Sequence, residues 1–97
     1  MPVIARIASY HDDLTKIRRD VHAHPELGFK ESRTADVVGR ELASYGIEVH
    51  RGLAKTGVVG RLKAGTGNRS IGLRADMDAL AIHEKNEFGH RSRHDGV

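Results

Sequence analysis

The chain has 97 residues, 16 Lys plus Arg against 13 Asp plus Glu, a formal charge of +3 and no cysteine. That length supports one small domain with a modest core, and the absence of thiols excludes a disulfide scaffold, a Cys-based zinc finger and a thiol nucleophile within these residues. With 38% apolar and 30% charged residues the composition is that of a soluble globular chain, Arg6 interrupts the first apolar run, and a cytoplasmic location is the expectation.

Pro2 is well placed to open a helix, and Ile4, Ile7, Leu14, Ile17 and Val21 recur at helical spacing with charged residues between them. Pro25 forbids continuation, so the spacing predicts a first helix over about 3–23. After the loop from His24 to Lys30, Ser32 reads as an N-cap, Ala35, Val38, Leu42 and Tyr45 share one face, and Gly46 is a C-terminal stop. The second helix is therefore predicted over about 32–45, with Gly39 a weak interior position suited to a close contact.

Beyond Gly46 the period changes from helix to strand: Ile47 and Val49 alternate with Glu48 and His50. A second strand is predicted from Gly57 to Ala64 and a third from Ser70 to Ala75, joined as a hairpin by the turn residues Gly65, Thr66, Gly67 and Asn68. From Asp76 to Val97 apolar residues are few, which predicts a loop and a polar, His-rich tail. The fold class is α/β, a helix pair and three strands. Apolar residues on both sides of the predicted strands (Val58, Val59, Ile71, Leu73) ask for further covering elements, so the architecture is incomplete.

The most unusual short segment is Arg74-Ala75-Asp76-Met77-Asp78-Ala79-Leu80, in which two carboxylates lie two residues apart at a predicted strand end. Sites gather at such ends, where carboxylates ligate a metal, hold a metal-bound imidazole or share a proton. The plainer alternative is that Asp76 caps a loop and Asp78 starts a turn. His22, His24 and Glu26 form a second cluster, but residues i and i+2 at a helix end point apart. Its alternative is a helix stop with Leu27 and Phe29 packed inward. His90 and His94 have i, i+4 spacing without apolar periodicity for a helix, and His11, His50 and His83 are isolated. No phosphate loop, Gly-x-Gly-x-x-Gly or Gly-x-Ser-x-Gly occurs. Basic residues are scattered among acids with only four aromatic rings, so neither nucleic acid nor membrane is an expected partner.

Four segments occur in order: Arg18 to Phe29 (RRDVHAHPELGF), Arg33-Thr34-Ala35, Thr56 to Gly60 (TGVVG) and Gly72 to Leu80 (GLRADMDAL). Together they resemble the N-terminal part of the metal-dependent amidohydrolases and metallopeptidases that include hippurate hydrolase, N-acyl-amino-acid aminoacylases and indoleacetyl-amino-acid hydrolases. The resemblance implies a zinc-exopeptidase-like catalytic domain, of which residues 1–97 are the N-terminal part, with the lid or dimerisation domain absent from this chain. It further implies hydrolysis of N-acyl amino acids by a pair of divalent metals (zinc, manganese, cobalt or nickel) with a Glu as general base. The family's Cys-Gly-His motif and catalytic Glu have no counterpart in these 97 residues. The chain alone is therefore expected to bind no metal, to be inactive, and to be a truncated fragment.

Asp76 and Asp78 match a strand-end motif that in related zinc peptidases reads His-x-Asp. Asp78 stands at the Asp that holds the site in position and is the leading candidate site residue. Asp76 stands where the His would be and so departs from the ligand pattern; Ala81 replaces a usual Pro. Expected partners are the N-acyl amino acid substrate of the whole enzyme, a second copy, or a full-length homologue on which a non-catalytic fragment docks through a sheet edge.

Overall fold

A computed structural model describes residues 3–97 and contains three helices, α1 (Ala5–Ala8), α2 (His11–Ala23) and α3 (Ser32–Ser44), and two strands, β1 (Glu48–Leu53) and β2 (Gly57–Arg61). It divides into two compact units, one built from residues 1–25 and 81–97 and the other from residues 26–80.

In the first unit the single helix expected over 3–23 is two. Ser9 turns its hydroxyl back onto the Arg6 carbonyl, and Tyr10 N–H reaches only to Ile7 O at 3.0 Å, a tighter turn than the α-helical one. Ile7, Tyr10 and Leu14 are all exposed, so burial does not hold the helix together across this point. α2 ends as predicted. His24 leaves the helical region at φ −125° and ψ 62°, as a residue before proline does. The tail meets α2 through Arg93 N–H, which donates to the Ala23 carbonyl at 2.9 Å, and Ala23 is the buried hydrophobic residue of this unit.

In the second unit α3 packs on both strands. Its buried residues are Thr34, Ala35, Val37 and Gly39. Gly46 (φ 76°) ends α3 as the sequence predicts, with Gly46 N–H on Ala43 O at 3.0 Å and Ile47 N–H on Leu42 O at 3.2 Å. Gly39 makes the close contact expected of it. The Arg51 side chain crosses it, 3.5 Å from where a Cβ would stand, on its way to Asp36 Oδ1 at 2.6 Å.

The hairpin joins the first strand to the second, not the second to the third. β1 and β2 pair antiparallel from Glu48↔Arg61 to Leu53↔Gly57, with an irregularity at Gly52 (φ 86°). The connection runs through Ala54 (φ 48°) and Lys55 (φ 78°), two left-handed residues that are not glycine, so turn composition gave no sign of it. The third strand expected over Ser70–Ala75 makes no ladder among the described residues, and Ile71 and Leu73 are 87% and 93% exposed. A strand needs a paired neighbour to form a ladder, and among the described residues this segment has none.

Candidate active-site cleft

The loop after Pro25 is organised by two glutamates. Glu26 Oε1 accepts Thr34 N–H at 2.6 Å and its Oε2 accepts Arg33 N–H at 3.0 Å, so the orphan donors of α3 are satisfied from upstream. The cap expected of Ser32 is not used. Ser32 is itself the first helical residue, and the flanking Glu31 makes no capping bond either. Glu31 is buried; its Oε1 accepts Lys30 N–H at 2.7 Å and its Oε2 accepts the Thr56 hydroxyl at 3.2 Å. Desolvation pushes the Glu26 carboxyl up, but the N–H groups of Thr34 and Arg33 with the Arg33 charge outweigh it and hold the group below its ordinary value.

These bonds shape a cleft of about 300 Å³ with three walls: Gly28, Phe29 and Glu31 from the loop, Leu53 to Gly57 from the hairpin turn, and Arg74 to Asp78 from the predicted strand end. Phe29 takes φ 64° and is 65% exposed, so the inward packing of its ring is corrected: a left-handed backbone turns it out to the cleft. Both candidate aspartates line this cleft. Asp76 Oδ1 pairs with Arg74 Nη2 at 3.0 Å, both side chains well exposed. Asp78 Oδ2 lies 3.8 Å from the position a Cβ on Gly28 would take. Ala79 N–H donates to the Glu26 carbonyl at 2.7 Å, which ties the end of this wall to the loop.

The histidine clusters resolve into other contacts. His22 Nε2 lies 2.9 Å from Glu84 Oε2, and His24 Nδ1 lies 3.1 Å from the Asp20 carbonyl. His90 is on no helix; it stacks on Phe88 with centroids 3.9 Å apart and meets His22 edge-on at 5.8 Å, while His94 meets His24 at 5.9 Å. Glu84, which sequence reasoning did not single out, is the hub of the tail. It accepts from Asn86 Nδ2, Ser92 N–H and His22, in that order of effect, and these hold its carboxyl down at about 2. Among the described residues no group of three or more His, Cys, Asp or Glu could hold a metal ion. A metal centre does not fit the described residues alone.

No protein-family model matches the chain. It is 43% identical to the hippurate hydrolase of Campylobacter jejuni over 97 residues, which is 100% of this chain and 25% of that protein. It is 45% identical over 86 residues to an N-acyl-L-amino acid amidohydrolase of Geobacillus stearothermophilus, covering 88% of this chain and 23% of that protein. A solved Bacillus subtilis protein, YXEP, described as a dinuclear metal binding peptidase of the M20 family, superposes with a TM-score of 0.85 at 38% identity, over 92% of this chain and 25% of its own.

Over nearly its whole length the chain is similar to a part of these amidohydrolases and of an M20 peptidase. It spans about a quarter of the length of the M20 relatives it matches. No helix among its described residues is long and apolar enough to cross a membrane.

Proposed function

We propose that these residues form part of a catalytic domain that hydrolyses the amide bond of N-acyl amino acids. The observation that carries this reading is that similarity to a hippurate hydrolase runs over the whole chain, so that it takes in all three walls of the cleft. In this reading Asp78 is the carboxylate that holds the catalytic groups in place, and Asp76 orients Arg74 at the cleft rim. The divalent metal, of the zinc, manganese, cobalt or nickel class, is held by residues of the whole enzyme other than these. The 97 residues alone are inactive.

The test is a graft. Residues 1–97 replace the matching quarter of the Campylobacter jejuni hippurate hydrolase, and the metal-loaded chimera is assayed on hippurate beside the isolated chain. The chimera should turn over and the chain should not; Asp78→Asn in the chimera should lower kcat about ten- to a hundredfold, as loss of a group orienting metal ligands does. Turnover by the isolated chain, or an unimpaired Asp78→Asn chimera, sinks the reading.

A second reading is that the chain is a non-catalytic partner of a full-length homologue or of itself. The exposed side chains of Ile71 and Leu73 favour it, since an extended apolar segment is a template for pairing. Sedimentation of the chain alone and with the homologue decides: a strictly monomeric, non-associating species excludes it.

A further inference from the structure

Residues 62–80 have no secondary structure, and among the described residues they make a single main-chain hydrogen bond, from Ala79 N–H to the Glu26 carbonyl at 2.7 Å. That bond lies one residue from Asp78. The residue that accepts it is also the one whose carboxylate grips the α3 N-terminus, at Thr34 N–H (2.6 Å) and Arg33 N–H (3.0 Å). From these three bonds we infer that Glu26 is the positioning residue for the Asp78 strand end, coupling it to α3 through one side chain and one carbonyl.

The chemistry suits the residue type. Two N–H donors face two acceptor oxygens, which a carboxylate supplies and an amide does not: Gln offers one acceptor and turns an NH₂ toward an N–H. Asp is a methylene too short to make both bonds from the same backbone position. If the carboxylate lets go of α3, the carbonyl moves with it and Ala79 loses its anchor. The close approach of Gly28 to Asp78 Oδ2 means that the same loop movement changes the surroundings of the Asp78 carboxylate. An ordinary helix cap would leave both Ala79 and Asp78 undisturbed.

The role matters for catalysis only if Asp78 does, and in that respect it rests on the proposed function; the coupling itself does not. It is tested by NMR on the labelled 97-residue chain. Glu26→Gln should raise the exchange rate of the Ala79 amide about tenfold more than those of Val49 and Val58 in the hairpin, the loss of one hydrogen bond in a local opening, and should shift the Asp78 carboxyl carbon resonance. Val37→Ala, which weakens α3 without touching Glu26, should move Ala79 and the hairpin amides together and leave the Asp78 resonance in place. If Glu26→Gln behaves like Val37→Ala, Glu26 is a cap alone and the inference is overturned. Should Glu26→Gln not fold, Glu26→Asp is read by the same two signals and the same comparison. An Asp78→Asn chimera with full activity would remove the functional reading and leave the Ala79 result standing, so the two failures are distinct.

Discussion

Glu84 Oε2 and His22 Nε2 meet at 2.9 Å across 62 residues of sequence, and the same carboxylate holds Asn86 and the Ser92 N–H. One acidic side chain thereby fastens the tail to α2 and folds the tail on itself. Replacing it with Gln removes the charge from each of those bonds. Glu84→Gln is expected to increase hydrogen exchange at Ser92 and Arg93 at neutral pH while leaving the amides of β1 and β2 unchanged.

Acid should loosen the same place in two steps. The ring of His90 is held below its ordinary value, first by desolvation and then by the Arg19, His22 and Arg18 cations, with Glu84 opposing them. A depressed histidine contributes stability that is complete above its unfolded value near 6.5 and declines as pH falls through the folded one. Glu84, ordinarily 4.5 and here about 2, contributes stability present above 4.5 and lost on the way down to 2. Exchange protection of the tail amides should therefore fall first below about pH 6.5 and again below about pH 4.5; His90→Phe, which keeps a ring against Phe88, should abolish the first step only.

Gly60 is fixed by packing. A Cβ there would stand 3.0 Å from Leu42 Cδ1 and 3.1 Å from Ile47 Cγ2, side chains that lie against the hairpin. Gly60→Val is expected to cost about 1–3 kcal/mol through overpacking, read as a lower urea midpoint with an unchanged slope.

Gly57 is more constrained still, because a Cβ at that position would meet the Leu53 carbonyl oxygen at 2.5 Å, and backbone cannot yield as a side chain does. Gly57→Ala should open the turn that forms one wall of the cleft. Loss of the amide cross-peaks between Leu53 and Gly57 in the variant, with α3 still helical by circular dichroism, is the expected outcome.

Leu73 is 93% exposed, so Leu73→Lys should change the stability of the isolated chain by less than about 0.5 kcal/mol. In the hippurate hydrolase chimera the same substitution is expected to lower the yield of soluble enzyme, because the alternating Ile71 and Leu73 ask for covering elements.

Local signals were well legible in the sequence and cooperative ones were not. The stop at Gly46, the end of α2 before Pro25 and the close contact at Gly39 each follow from one residue's backbone freedom or size. The break at Ser9 and Tyr10 was hidden because the apolar spacing continues in phase across it. The cap from Glu26 was missed because the acceptor sits seven residues before the first N–H it serves, outside any N-cap window. The third strand, expected over Ser70–Ala75, forms no ladder among the described residues, because a ladder depends on neighbouring strands, which single-segment patterning does not supply. Asp76 and Asp78 were found from spacing alone and do share the cleft, whereas Glu31 and Glu84 resembled ordinary surface charges until their partners, 25 and 62 residues away, came into view.

The first compact unit is assembled from two stretches far apart in the sequence, with Arg93 and Glu84 supplying the bonds that α2 receives. During synthesis α2 leaves the ribosome long before those partners do, and residues 26–80 are complete in the interval. The order of maturation is therefore inside out: residues 26–80 can settle first, and α2 waits, half-exposed to chaperones, for Glu84 and Arg93, which are translated after them.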